Sequence, residues 1–523
     1  MNTEPCTNQA SFDFVTGRAL QALCADYAAL PQRVVFSEIL RYAEISSTDA
    51  HNTMHPLIVL YGLCYTGKST MLKQIAFFVW ERAAFVKITQ KGADFCALVQ
   101  RMTTARAQGI RYFFIDEITK LVDFPVFVEQ LVHLRESCLF FVSGTDSLAF
   151  WLAKNEELYK NSVFFHTTFI PYYEFKHLFP DVTVDTYIQR SGVFQNLTLN
   201  TAILPDKLRG NIVDQYIYTA IARNIQNALS RRFDGNELGL LAKLYDEDVL
   251  THAIMRVVQN DAHRFFAKNL SSKYASTDIK KALGECLHIE NIPLGSELEE
   301  KILKKLGMLN NGLVSRLTNI EAEEIKNYLF KIDVFKEIDE YFIVATECVR
   351  SKETILIQPG LRYAQIIAVL DTIFDDEDNE IRKKIYSNCV GTLFEECVRY
   401  NTWHCLANDT RDIFKLRYSY REINAEFDMI VYDKKEKFVD IYEIKHGLKP
   451  KDSWFSNFCN NDFAEKIEEM FAPIRNRHIL YTGATRRQAA ERVQLVNVDE
   501  FLQRIAPTIP SKITACPVSC LGS

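Results

Sequence analysis

Residues 62–70 read GLCYTGKST. They fit the spacing G-x-x-x-x-G-K-[ST] through Gly62, Gly67, Lys68 and Ser69. The spelling has a chemical reason. Glycines let backbone N–H groups curl around phosphates where a Cβ would block the path. Lys68 is the mobile cation for the β- and γ-phosphates, and the Ser69 hydroxyl is a ligand for Mg²⁺. Thr66 and Thr70 complete the nucleotide-binding candidates of the loop. The context agrees. LIVLY (57–61) is an apolar strand before the loop, and STMLKQIAFFVW is an amphipathic helix after it, its positive N-terminal end towards the anion.

A second half of the same site follows. RYFFIDE (111–117) is an apolar strand ending in Asp116 and Glu117. Asp116 is expected to hold Mg²⁺ through water, and Glu117 to polarise the attacking water. CLFFVSG (138–144) ends in Ser143 and Gly144 with Thr145 beyond. Ser143 is a candidate γ-phosphate sensor, with a plain strand-end turn as the alternative. Arg190 and Arg209 are candidate arginine fingers among ordinary surface arginines.

Around these motifs the chain has a readable organisation. Residues 1–55 look mostly helical, and from 57 to about 200 apolar runs such as AAFVKIT and SVFFHTTFI alternate with helical patterns. That alternation predicts an α/β fold with a parallel sheet. From 201 to about 345 the pattern is helical, and a new α/β segment runs from about 356 to 507. The expected domains are 1–200, 201–350 and 351–510, with a flexible tail at 511–523. A length of 523 residues is too great for one hydrophobic core. Net charge is -6, which neither requires nor excludes nucleic acid. The 13 cysteines show no CxxC pair and no zinc spacing, as in a reducing compartment. The start has no signal-peptide pattern and no apolar run is long enough for a membrane span, so a cytoplasmic protein with no membrane partner is expected.

In the middle, STDIKKAL (276–283) and IEAEEIKNYLFKIDVF (320–335) read as helices, and EYFIVATECVRSKETILIQ (340–358) as a hairpin. Helix, helix, hairpin is the order of a winged helix. Glu321, Glu323 and Glu324 outnumber Lys326 and Lys331 on the second helix. That favours a structural or protein-contact role over gripping phosphates.

Further on, EFDMIVYDKKEKFVDIYEIKHG (426–447) alternates apolar and polar residues on both sides of a charged turn, the signature of a β-hairpin. Residues two apart in a strand share a face, so Glu443 and Lys445 point together and Ile444 points into the core. Asp428 approaches them from the neighbouring strand. Asp, then Glu-x-Lys, is the spacing of a PD-(D/E)xK nuclease site. Two carboxylates and a carbonyl make a hard oxygen cage for Mg²⁺, and the lysine orients or deprotonates a water. The alternative is an exposed cross-strand salt bridge. RNRHILYTGATRRQAAERV (475–493) carries Arg475, Arg477, Arg486, Arg487 and Arg492 and is either a nucleic-acid grip or a solvated surface.

The segments LYGLCYTGKSTML, YFFIDEITKLVDF, FVSGTDSLAFWLA, HTTFIPYYEF, AIARNIQNAL, IQPGLRYAQ, GTLFEE, EFDMIVYD and YEIKHG span about 57 to 485. Together they resemble bacterial and archaeal AAA-like P-loop ATPases that carry a C-terminal PD-(D/E)xK nuclease-like domain. The resemblance implies a P-loop NTPase sheet, a helical and winged-helix-like middle, and a restriction-endonuclease-like α/β domain. It implies ATP and Mg²⁺ as cofactors, and Glu395 of GTLFEE as a third metal ligand beside Asp428 and Glu443. Assemblies of several copies are common in such ATPases. Two departures stand out. Cys64-Tyr65 replace the basic residues relatives tend to have, and Lys160-Asn161 stand where relatives often have an arginine. The function expected is ATP binding and hydrolysis coupled to a Mg²⁺-dependent nuclease-like domain acting on nucleic acid, DNA ahead of RNA, in defence or mobile-element biology. The alternative is an ATP-dependent switch or scaffold whose C-terminal domain binds without cutting. A helicase or translocase is disfavoured, because no further motor motifs are present.

Overall fold

The computed structural model describes residues 11–48, 57–63, 66–90, 95–121, 126–127, 130–145, 162–167, 169–190, 217–222, 225, 239–246, 249–273, 318–344, 347–374, 380–420, 423–487 and 493–509. The expected helix at 276–283, the tail at 511–523, Cys64-Tyr65, Lys160-Asn161, Arg209 and Arg492 lie outside them. The described residues fall into two compact units. One lies within Met1–Thr168, Thr219–Thr251 and Ile509–Ser523, the other within Phe169–Tyr218 and His252–Thr508.

The first unit is built on six strands: β1 (Phe12–Thr16), β2 (Leu57–Tyr61), β3 (Ala83–Ile88), β4 (Tyr112–Asp116), β5 (Leu139–Gly144) and β6 (Ser162–His166). Their order across the sheet is β1-β3-β4-β5-β2-β6. All neighbours run parallel except β1, which pairs antiparallel with β3. The central strands LIVLY, YFFID and LFFVSG are nearly continuous apolar runs, as strands covered on both faces must be. Helices Gly17–Ala28, Val34–Thr48 and Lys68–Phe78 share one apolar core with this sheet through Leu20, Ile39, Leu40, Leu72 and Ile75. The N-terminal stretch is therefore not only helical, because the alternating FDFVT adds an edge strand.

The order of the strands sets up the site. β2, which feeds the phosphate-binding loop, and β4, which ends in Asp116, are separated by β5. The carboxyl ends of three adjacent parallel strands thus open on one crevice, the usual ligand position of an open α/β sheet.

The second unit holds eight strands: β7 (Phe335–Val344), β8 (Glu347–Leu356), β9 (Arg411–Tyr420), β10 (Ile423–Asp433), β11 (Phe438–Lys445), β12 (Ile474–Tyr481), β13 (Arg486–Arg487) and β14 (Val493–Asn497). Their order is β13-β14-β12-β11-β10-β9-β7-β8. Two apolar clusters cover the two faces. Met429, Val431, Tyr442 and Ile444 pack with helices Pro359–Ile373, Glu380–Leu406 and Val498–Ile505. Phe427, Ile430, Ile441 and Ile479 pack with Phe458 and with helix Asn461–Met470.

Two assignments differ from the sequence reading. The hairpin β7–β8 was expected as the wing of a separate connector, but β7 pairs in parallel with β9 and the hairpin is the edge of this sheet. The α/β segment therefore begins at 335 rather than near 356. Helices Tyr172–Leu178 and Val184–Arg190 were assigned with the first 200 residues. They pack into the core of the second unit, with the Tyr172 N–H donating to Asn401 Oδ1 at 2.8 Å and the Val184 N–H to Asp499 Oδ1 at 2.9 Å. Both differences have one cause. A local pattern announces a strand or helix but not its partner.

Candidate functional site

The phosphate-binding loop is held from below. Gly67 has φ 89° and begins helix Lys68–Phe78, a left-handed position that glycine takes without strain. Gly62 has φ 150°, and a Cβ there would stand 2.1 Å from the Thr167 carbonyl oxygen. Lys68 is buried and donates to the carbonyls of Gly62 at 2.8 Å and Leu63 at 2.6 Å. Its ammonium is thus held by carbonyls of its own loop, with which phosphate oxygens would compete. Thr66 Oγ1 donates to Leu63 O at 3.0 Å and lies 3.1 Å from Thr167 Oγ1. Thr70 lies in the first turn of the helix.

The acid side of the crevice is tightly connected. Ser69 Oγ donates to Asp116 Oδ1 at 2.9 Å, and Ser143 Oγ donates to the same oxygen. Thr145 Oγ1 donates to Glu117 Oε2 at 2.9 Å. Glu117 sits at φ 62°, a left-handed conformation rare for a residue with a long side chain. Burial and the neighbouring Asp116 charge raise its pKa, against Lys68, Lys120 and the Thr145 bond. Lys68, Ser69, Asp116, Glu117 and Ser143, read from three separate strings, thus converge. Arg33 was not foreseen. It lies just before helix Val34–Thr48 and donates from Nη1 to the Thr66 carbonyl at 2.6 Å. Its only sequence signal was a position ahead of an amphipathic helix, 33 residues from the loop.

In the second unit, β10 and β11 pair with Met429 opposite Tyr442, and the turn between them is fastened by Asp433, whose Oδ1 accepts from the N–H groups of Lys435 and Glu436. The pairing of β10 with β9 slips between Phe427 and Ile430, a bulge that contains Asp428. Lys445 Nζ stands 2.7 Å from Asp428 Oδ2 and 2.5 Å from Glu443 Oε2. The Ile444 N–H donates to Asp428 Oδ2 at 2.8 Å. Asp428 and Glu443 are almost wholly buried, so an exposed salt bridge is excluded for this trio.

Its charges cancel only if one of the two carboxyl groups keeps its proton. One ammonium meets two carboxylates. Burial works against the Asp428 charge, but Lys445 and Lys415 win and lower its pKa to about 2. Burial and the Asp428 charge push Glu443 up to about 8 despite Lys445 and Asn457. Burial opposes the Lys445 charge, but Asp428, Glu443 and Glu395 hold its pKa well above the ordinary lysine value. The consistent state near neutral pH is an ionised Asp428, a protonated Glu443 and a charged Lys445. The donors are hard oxygens with one proton to give up, which suits a divalent cation. Glu395 is half-buried on helix Glu380–Leu406, near enough for Lys445 to feel its charge. Among the described residues, no three His, Cys, Asp or Glu side chains already form a metal cage.

Three supporting residues escaped the sequence reading. Asn457 Nδ2 donates to Glu443 Oε1 at 2.6 Å and to the Glu426 carbonyl at 2.7 Å. Arg399, fully buried, donates to the Asp428 carbonyl at 3.2 Å and pairs with Glu353. Lys415 pairs with Glu426 at 2.6 Å. Of the arginines after 474, Arg475 is committed to Asp440 and stacks 3.3 Å over Phe438, and Arg477 donates to the Phe458 carbonyl. Arg486 is exposed, and the structure does not describe the Arg487 side chain. Arg190 ends its helix in the second unit. No helix among the described residues is long and apolar enough to cross a membrane.

A phosphate-binding loop and an acid pair at the ends of parallel strands, with a third strand between them, define a P-loop unit of the AAA type. Residues 54–176 match the family model described as AAA domain. No curated protein matches the chain. Among solved structures, Caenorhabditis elegans PCH-2 aligns at 18% identity over 25% of this chain and 42% of its own, with a TM-score of 0.19. The Aeropyrum pernix ORC1 protein in complex with DNA aligns at 13% over 69% and 98%, with a TM-score of 0.24. AMPPCP-bound DnaA from Aquifex aeolicus aligns at 11% over 56% and 84%, with a TM-score of 0.23. Scores this low say nothing of shared function.

Proposed function

We propose that the chain is an ATP-binding and ATP-hydrolysing protein whose C-terminal domain is a Mg²⁺-dependent PD-(D/E)xK-type nuclease acting on nucleic acid, DNA ahead of RNA. In the first unit, Lys68 leaves the loop carbonyls for the ATP phosphates, and the loop N–H groups bracketed by Gly62, Thr66 and Gly67 cradle them. Ser69 and Asp116, with Thr70 next in sequence, would hold Mg²⁺. Glu117 polarises the attacking water, and Ser143 reports the γ-phosphate to Asp116 and to the Glu117 backbone.

In the C-terminal domain, Asp428 and Glu443 are the candidate Mg²⁺ ligands, with Glu395 as the third. A metal bound there would acidify a water and neutralise charge on the scissile phosphate. Lys445 keeps its proton and stabilises negative charge, while Asn457 fixes the Glu443 carboxyl. The observation that carries the reading is the trio of Asp428, Glu443 and Lys445, drawn from two strands with one ammonium between two buried carboxyl groups. The domain division 1–200, 201–350, 351–510 is retained only as an outline, with the hairpin 335–356 and the helices at 172–190 joined to the third part. The winged-helix reading of the middle rests on helix Asn319–Lys331 alone. A homo-oligomer and a role in defence remain part of the proposal by family resemblance.

A second reading has one observation in its favour. Lys445 already binds both carboxylates, which is also how a closed structural cluster would look. In that reading the domain binds nucleic acid without cutting it, as part of an ATP-dependent switch. Incubating the full chain with plasmid and with single-stranded DNA, with Mg²⁺ or Mn²⁺, with and without ATP, separates the two. Cutting that disappears in Glu443→Ala supports the nuclease. Metal-independent binding with no cutting supports the switch. ATP affinity unchanged in Lys68→Ala would sink the ATPase half of either reading.

A further inference from the structure

Arg33 gives the phosphate-binding loop a second anchor beside Lys68. It is buried, and its Nη1 donates to the Thr66 carbonyl at 2.6 Å. In a trans peptide the carbonyl and the N–H that follows it point to opposite sides, and no peptide bond among the described residues is cis. A donor on the Thr66 oxygen therefore turns the Gly67 N–H away from Arg33. Gly67 is the N-cap of helix Lys68–Phe78, where backbone donors lack partners within the helix and suit an anion.

The backbone alone does not fix that orientation. Gly67 has φ 89°, and glycine takes positive and negative φ about equally readily. The Thr66–Gly67 peptide can thus flip at little steric cost. One state offers phosphate an N–H, the other a repulsive carbonyl, and the bond from Arg33 favours the first. The Thr66 hydroxyl is occupied elsewhere, between Leu63 O and Thr167 Oγ1. Arg33 is itself placed by the helix it serves. Gln74, buried on that helix, donates from Nε2 to the carbonyls of Tyr27 at 3.2 Å and Leu30 at 3.1 Å. The Lys73 ammonium lies 3.8 Å from the centre of the Tyr27 ring. These contacts tie down the turn after helix Gly17–Ala28, just ahead of Arg33.

We infer, on the ATP-binding reading of this loop, that Arg33 is a positioning residue for the nucleotide: it presets the Thr66–Gly67 peptide so that the Gly67 N–H faces the phosphates. The test is competition of ATP and of inorganic tripolyphosphate against a fluorescent ATP analogue on the full chain. In Arg33→Met both should bind about tenfold more weakly, the scale of one lost charged hydrogen bond. Arg33→Lys, which keeps one charged donor, should recover most of the loss. Arg33 is buried, so each variant is read beside its thermal midpoint. Gln74→Leu gives an independent reading, because it frees the turn and leaves the arginine in place. It should weaken both ligands less, and the double variant should bind no worse than Arg33→Met alone. ATP weakened with tripolyphosphate unmoved would overturn the assignment in favour of a contact to base or ribose. Affinities unmoved in Arg33→Met, or losses that add in the double variant, would overturn the positioning path. An unaltered chain that binds neither ligand would overturn the reading of the loop itself, a different result from binding that ignores Arg33.

Discussion

The two candidate sites each place a lysine among oxygens, but they hold their cost differently. Around Lys68 the cost is conformational. Gly62, Gly67 and Glu117 all have positive φ, and Lys68 itself binds neutral carbonyls of its own loop. Around Lys445 the backbone is ordinary strand with one bulge, and the cost is electrostatic: two buried carboxyl groups share one ammonium, and one of them keeps its proton. A site of the first kind is set by which residues tolerate a backbone shape. A site of the second kind is set by which charges must stay together, and it responds to pH and to cations.

The largest effect should therefore come from removing the shared charge. Lys445→Ala leaves Asp428 and Glu443 buried without their cation, and losing one partner of a buried pair costs about 3–5 kcal/mol. Urea unfolding of the metal-free chain measures it. A loss below about 1 kcal/mol, the surface-pair range, would mean that the trio is solvated and the contrast between the sites is false.

Next comes the pH dependence. Glu443 has a folded pKa of about 8 against an ordinary 4.5. The folded chain then carries an extra proton between those values. Its contribution to stability is complete below 4.5, declines as pH rises, and is gone above 8. The slope approaches ~1.4 kcal/mol per pH unit, the limit for one proton. Asp428 has the opposite sign: lowered from 3.8 to about 2, it stabilises above 3.8 and loses that contribution as pH falls through 2. In Glu443→Gln the decline between pH 5 and 8 should vanish while the acid loss remains. Equal slopes in both chains would remove Glu443 from the account.

The same difference explains what the sequence made legible. The first site is written in contiguous strings, because a backbone shape needs neighbouring residues: GLCYTGKST and FIDE announce it without any fold. The hairpin pair was legible too, since a period of two and one turn fix which side chains of β10 and β11 meet. Arg33, Asn457, Arg399 and Lys415 were not. Each reaches its partner from another element, by side-chain length and strand order that no local pattern encodes. The edge hairpin β7–β8 was misassigned for the same reason, its strands being plain but its partner β9 lying some 70 residues on.

A third prediction probes the conformational site at its tightest point. Gly62→Ala sets a methyl against the Thr167 carbonyl at a distance no Cβ occupies, so β6 or the loop must shift. Overpacking of this kind costs about 1–3 kcal/mol. ATP affinity should fall with it, because the displaced loop carries the N–H groups meant for phosphate. Thermal unfolding and nucleotide titration of the same variant read both. Full stability with full affinity would show that the loop has slack and that Gly62 is not needed for its shape.

The smallest effect should have the opposite sign. Glu117 occupies φ 62°, ψ 40°, where a long side chain is strained, and it is half-buried next to the Asp116 charge. Strain of this kind persists where the surroundings impose it and a function uses it. Glu117→Gly removes the strain and the like-charge contact and loses one hydrogen bond from Thr145. Glycine also costs more entropy on folding, so the net gain is modest, about 0.5–1 kcal/mol. Hydrolysis of ATP should be lost while ATP binding through Lys68 remains. A gain in stability with loss of turnover would mean that the backbone is held strained for the sake of that carboxylate. A destabilised Glu117→Gly chain would instead make Glu117 a structural residue, its Thr145 bond worth more than the strain it sits in, and the first site would then resemble the second.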